Sequence, residues 1–213
     1  LNARISKPIP FDRSAVKFTE TGKHGRSGRR TRIFARFSSD SQMPEDLDGL
    51  DRIYLPLGSD FGRIKCEAGA ELPRALFCGE QAVSQTLAKL PENVEFALCN
   101  NIAAIQLAKE AGLKVHAGFG MNVFNMRSFE RLSCEAEDIT LSFELTLAKA
   151  SEIGGGIIAY GRLPLMLTRN CPKGGAKRCG SCTKELTDRK GMRFPLMCGA
   201  GYSEILNCLP LSL

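Results

Sequence analysis

From residue 31 onward the chain alternates short apolar, β-branched or aromatic runs with polar turns and stretches of helical periodicity. RIFARF (32–37), DRIYLPL (51–57), VEFALCN (94–100), KVHAGFG (114–120), DITLSFEL (138–145) and IIAYGRLPLM (157–166) read as strands. ELPRALF (71–77) reads as one more, with Pro73 excluding a central ladder position near it. Between them lie helical patterns. MPEDLDGL has Ser41 as its N-cap, EQAVSQTLAKL (80–90) places Val83, Leu87 and Leu90 on one face, and NIAAIQLAKEAG (101–112) closes at Gly112. SFERLSCE starts at Ser128, and LTLAKASEI ends before Gly154.

Strands alternating with helices at this spacing indicate parallel βαβ units. The expected fold is therefore α/β, a partial or complete TIM-like (β/α) barrel with a C-terminal cysteine-rich segment. A doubly wound sheet is the open alternative, but no glycine fingerprint opens the first helix. GFGMNV lacks the third glycine and the acidic residue of a dinucleotide site. The expected division is a linker or edge segment over 1–30, a barrel-like domain over 31–167 and the cysteine-rich segment over 168–213.

In a barrel the chemistry sits at the C-terminal strand ends. There the sequence offers Asn100, Asn101, Asn122, Asn125, Glu144 and Arg162, with His116 inside its strand. An asparagine in a turn is often only a turn residue, and His116 is equally readable as a satisfied core histidine. His24, among glycines and basic residues, reads as exposed.

Charge alters this picture. The net charge of +6 is unevenly spread: residues 17–36 carry seven Lys or Arg against one acid, and residues 162–193 carry nine against two. The stretch 37–161 carries ten basic and eighteen acidic residues. Two basic blocks on an acidic body suit an anionic partner, RNA first, or else a solvated face beside an anionic thiolate centre. No run of 18 apolar residues and no signal-peptide pattern is present, so no membrane partner is expected.

Of nine cysteines, Cys171, Cys179, Cys182 and Cys198 fall within 28 residues among Gly, Lys and Arg. That density argues for reduced, ligand-bearing thiols in the cytoplasm rather than a secreted disulfide framework. Cys179 and Cys182 form a C-x2-C pair, and Cys171 and Cys198 lie at bends. A zinc ribbon prefers two C-x2-C knuckles where this chain has one, and the irregular spacing suits an iron–sulfur cluster only slightly better, with zinc as the alternative. Cys66, Cys78, Cys99 and Cys134 read as core thiols.

The strings GFGMNVFN, LSFELTL, YGRLPLMLTRNCP, LTDRKGMRFP and GYSEILN together resemble peptidase family U32, the collagenase-like proteases, over about residues 45–213. The chain looks like the inner part of a longer member. The resemblance implies either a metal-dependent peptidase or, as in other members, hydroxylation of RNA bases or ubiquinone precursors with a [4Fe-4S] cluster on four cysteines. No H-E-x-x-H occurs and the only histidines are His24 and His116, so conventional zinc-peptidase ligands are missing. The matching cluster ligands are Cys171, Cys179 and Cys198, with Cys182 as the fourth by local geometry and Cys208 or a residue outside the chain as alternatives. In the hydroxylation reading Glu144, Asn122, Asn125 and Arg162 bind substrate or co-substrate. In the peptidase reading Glu144 or Glu71 activates water, and a non-catalytic metal knot is a third possibility.

Overall fold

The computed structural model describes residues 30–77, 79–174, 179, 182–199 and 201–212. His24, Cys78, Lys177, Arg178 and all but the last residue of the 1–30 segment lie outside them. Six strands form one all-parallel sheet in sequence order: β1 (Phe34–Arg36), β2 (Arg52–Pro56), β3 (Glu67–Glu71), β4 (Val94–Cys99), β5 (Lys114–Ala117) and β6 (Asp138–Ile139). Helices α1 (Glu80–Leu87), α2 (Ile102–Glu110) and α3 (Met126–Ser133) connect β3 to β6, and α4 (Leu147–Ile153) follows. The fold is thus mixed α/β, with the parallel sheet forming a curled half-barrel.

Strand alternation puts Ile53, Leu55, Ala68, Ala70, Ala97, Cys99, Val115, Ala117 and Ile139 on one face. Helix residues Val83, Leu87, Ile105, Leu107 and Ile153 pack on it, as do loop residues Met43, Phe61 and Ile64. Each fully buried Ile or Leu there contributes about 1.5–3 kcal/mol.

The opposite face carries Phe34, Arg52, Tyr54, Glu67, Phe96, His116 and Asp138, which accounts for the curl. Arg52 on β2 donates to Asp138 on β6 at 2.6 Å, and the Tyr54 hydroxyl meets His116 Nδ1 on β5 at 2.8 Å. In a flat sheet four strand spacings span about 19 Å, so the sheet must close on itself for these side chains to meet. Gly69 makes room for this interior, since a Cβ there would lie 2.3 Å from the Tyr54 ring.

Three expected elements differ in kind or place, and the strand expected at 138–145 is shorter, ending at Ile139. MPEDLDGL is not a helix: Asp46 accepts the Asp48 N–H at 2.8 Å in a local turn that competes with one, and a short 3-10 turn, Asp40–Gln42, precedes it. The strand expected at 71–77 lies earlier, at β3, whose EAGA composition has weak strand propensity but fits beneath Tyr54. IIAYGRLPLM is not one barrel strand. Gly156 bridges Thr140 in parallel, β7 (Tyr160–Gly161) pairs with β12 (Leu211–Ser212), and β8 (Pro164–Thr168) joins a second sheet.

That second sheet is antiparallel, with order β8, β11 (Tyr202–Leu206), β10 (Arg193–Gly199), β9 (Glu185–Thr187). Its strands run from Pro164 to Leu206, and Cys198 lies on one of them. Among the described residues no helix is long and apolar enough to cross a membrane.

Candidate functional site

The second sheet lies against the C-terminal rim of the half-barrel through the loop between β3 and α1. Arg74 on that loop donates its backbone N–H to the Tyr202 hydroxyl at 3.0 Å and pairs with Glu204 at 2.7 Å. Phe77 stacks edge-on with Tyr202 at 6.3 Å, and Arg169 lies 5.6 Å over Phe77. Arg36, ending β1, holds Glu71, ending β3, at 2.7 Å and reaches Met197 Sδ at 3.8 Å. Glu71 and Glu204 side chains are 9% and 3% exposed. Burial raises the Glu71 pKa above the usual carboxylate range, only partly offset by Arg36. A buried carboxyl at a barrel rim, its charge disfavoured by burial and favoured by one guanidinium, is placed for proton transfer.

Register also gathers the cysteines. Thr168, Ser203 and Cys198 lie side by side across β8, β11 and β10, and the Ser203 hydroxyl donates to Cys198 Sγ at 3.5 Å. Cys171 follows β8 by three residues at that same end, in a turn closed by Gly174 N–H to Cys171 O at 3.2 Å. The Leu196 N–H bonds Lys184 O at 2.7 Å, and Lys184 takes the left-handed conformation, φ 52°, so the chain turns off the ladder there, with Cys182 just before β9 at the same end of the sheet as Cys198. Cys182 also receives the Lys184 N–H on its sulfur at 3.3 Å, and its own N–H bonds Cys179 O at 3.4 Å. Cys208 follows β11 at the opposite end of the sheet. The four thiols thus suit a metal or cluster in donor chemistry and in placement at one sheet end. Their side chains are not drawn together: among the described residues no three His, Cys, Asp or Glu side chains form a metal-sized group.

The remaining candidates have local roles. Asn101 caps α2, accepting from Ala104 N–H at 2.8 Å, and Asn125 caps α3 in a reciprocal capping box with Ser128. Asn122 takes the left-handed conformation, φ 49°, that closes the turn after β5. Glu144 is exposed in the loop after β6, which ends at Ile139 rather than at residue 145. Arg162 donates to the carbonyls of Asn207 and Cys208, fastening the chain beside β7 and β12. Asparagines recur at the strand ends largely because each helix there needs a cap.

Asn100 differs. It is 5% exposed, and its Oδ1 accepts the Gly120 N–H at 3.0 Å. Gly118 and Gly120 permit this approach, since a Cβ on either would lie 2.4–2.5 Å from Asn100 atoms.

His116 is 6% exposed and bonded at both ring nitrogens, to Tyr54 and to Thr140 Oγ1, each at 2.8 Å. Burial lowers its pKa to about 4. Its folded pKa lies below the unfolded value of about 6.5, so the unfolded chain binds the proton first and stability falls as pH drops from about 6.5 toward 4. Urea unfolding should show a loss of about 2 kcal/mol between pH 7 and pH 5, absent in His116→Gln.

Of the expected core thiols, Cys99 is buried, with its pKa pushed up to about 12 by desolvation. Cys66 is half-buried, while Cys134 is exposed at the end of α3, where the amphipathic pattern turns to solvent.

The described part of the first basic block is paired: Arg30 with Asp51, Arg32 with Glu67 and Arg36 with Glu71. No ion pair among the described residues includes a Lys or Arg of 162–193. Compared with protein-family models, curated proteins and solved structures, the chain finds no match in any of the three.

Proposed function

We propose that the chain is a segment of a U32-type enzyme that hydroxylates RNA bases, with a [4Fe-4S] cluster held by Cys171, Cys179, Cys182 and Cys198 beside the barrel mouth. The observation that supports this reading is the strand order and register, which set Cys198 at the same sheet end as the chain leaving β8 toward Cys171 and the chain entering β9 from Cys182. Cys208 at the other end supports Cys182 as the fourth ligand. When bound, such a cluster supplies one-electron chemistry.

The chain's own residues supply the rest. Arg74, Phe77 and Tyr202 hold the cysteine end against the rim, and Tyr202 begins the strand that carries Ser203 beside Cys198. Glu71 is the carboxyl placed to hold and release a proton inside the rim. The described basic residues of 162–193, none of them in an ion pair, give RNA phosphates a surface next to the cysteines.

The test is mass spectrometry of nucleosides from RNA incubated anaerobically with the iron-reconstituted chain and a small-molecule oxygen donor extract. A nucleoside one oxygen heavier, lost with Glu71→Gln, is expected. Unmodified RNA together with hydrolysis of a collagen-derived peptide would contradict the proposal and favour the metal-dependent peptidase.

A further inference from the structure

The amide nitrogen of Asn100 is buried and has no hydrogen-bond partner among the described residues. Its orientation is not arbitrary, because the Gly120 N–H must face the carboxamide oxygen; reversing the amide would set donor against donor. Asn100 follows Phe96 and Leu98 on the interior face, at the rim and diagonal to Glu71, which pairs with Leu98. With the oxygen side walled by Gly118 and Gly120, the NH2 group is directed away from that turn. An unmade hydrogen bond of this kind is costly and points to an absent acceptor.

The neighbours narrow what that acceptor belongs to. Phe119 sits between the two glycines, with Arg74 4.9 Å over its ring and Phe143 5.9 Å away, tilted by 50°. Phe143 is 40% exposed and Phe124, further along the same rim, 48%. A donor seeking an oxygen beside aromatic faces and a guanidinium plane suits a flat, unsaturated ring bearing a carbonyl.

We infer that Asn100 reads a ring carbonyl oxygen of an unpaired nucleobase that stacks on the exposed ring of Phe143, beside Phe119, at the barrel mouth. The inference rests on the RNA reading above and deepens it, by naming the residue that selects the base edge and by requiring the base to be out of a duplex. Entry parts Arg74 from Phe119, and the carbonyl then takes the Asn100 N–H.

The experiment is amide nitrogen–proton correlation NMR on the full 213-residue chain, with Asn100→Asp used to assign the Asn100 side-chain NH2 pair. That variant keeps an oxygen for Gly120 N–H and replaces the donor with a second, acceptor oxygen. Uridine is the probe, and 5,6-dihydrouridine, which keeps both carbonyls but loses the flat ring, is its control. Uridine should shift the Asn100 NH2 protons downfield, with binding roughly tenfold weaker for dihydrouridine, for Asn100→Asp and for Phe143→Ala. Should Asn100→Asp not fold, the NH2 shift in the unaltered chain and the exposed Phe143→Ala variant still decide. Uridine or single-stranded RNA binding with the Asn100 pair unmoved would overturn this inference and leave the RNA reading standing. Equal binding of dihydrouridine would overturn the flat-ring assignment. If neither uridine nor a single-stranded oligonucleotide perturbs any resonance, both readings fall.

Discussion

Arg52→Ala is expected to lower the unfolding free energy by about 3 kcal/mol or more, the range found when one partner of a buried ion pair is removed. Arg52 is fully buried, donates to Glu67 at 2.7 Å, Asp138 at 2.6 Å and the Tyr54 hydroxyl at 2.9 Å, and lies between the Phe34 and Phe96 rings. Its removal leaves two carboxylates without their shared cation and a gap between two rings. Because Glu67 and Asp138 retain some water contact, the loss belongs at the low end of the range. Arg32→Ala removes a second, exposed guanidinium from Glu67 and should cost less than about 1 kcal/mol. Lysine cannot substitute for Arg52, because a point charge neither stacks between rings nor reaches three acceptors in a plane. Urea denaturation with unchanged m-values makes the comparison. An Arg52→Ala loss no larger than that of Arg32→Ala would remove the interior network as the cause of the curl.

Cys198→Ser is expected to remove most of the iron bound after anaerobic reconstitution, whereas Cys208→Ser should retain it. Cys198 lies in the row with Ser203 and Thr168, at the end where β8 leads to Cys171 and where the chain enters β9 from Cys182. Cys208 leaves β11 at the far end, so no arrangement of this sheet brings it to the others without unpairing strands. Changing even an outer partner of a metal ligand typically costs 10–100-fold in affinity, and loss of a ligand should exceed that. Reconstituted protein analysed for iron distinguishes the variants. Loss with Cys208→Ser and retention with Cys198→Ser would reverse the ligand assignment.

The parallel α/β architecture was legible because four of its strands, around residues 34, 53, 96 and 115, are apolar runs bounded by turns. β3 was not, since Ala68, Gly69 and Ala70 are selected by the space under Tyr54, a contact between strands that propensity does not contain. The departure of the chain after Gly156 was equally hidden. YGRLPLM is as strand-like as a barrel strand, and only its partners, β12 and β11, place it elsewhere.

For the site, residue types were readable but roles were not. Asn101 and Asn125 stand where barrel chemistry is expected, yet helix capping accounts for them. A signal for Asn100 was present in GFGMN, whose glycines allow close backbone approach rather than forming a dinucleotide loop. Glu71 was considered only as an alternative to Glu144, because nothing local shows that Arg36, 35 residues earlier, would bury it at the rim. The cysteine density is visible in the sequence, while the placement of Cys198 at the sheet end that Cys171 and Cys182 flank depends on antiparallel pairing over residues 164–206.

The central claim is that the cysteine end of the second sheet holds an iron–sulfur cluster beside the barrel mouth. The most direct test is anaerobic reconstitution of the unaltered chain followed by assay of iron and acid-labile sulfide. The account predicts a coloured protein with about four of each per chain; a colourless protein carrying stoichiometric zinc and no sulfide would contradict it.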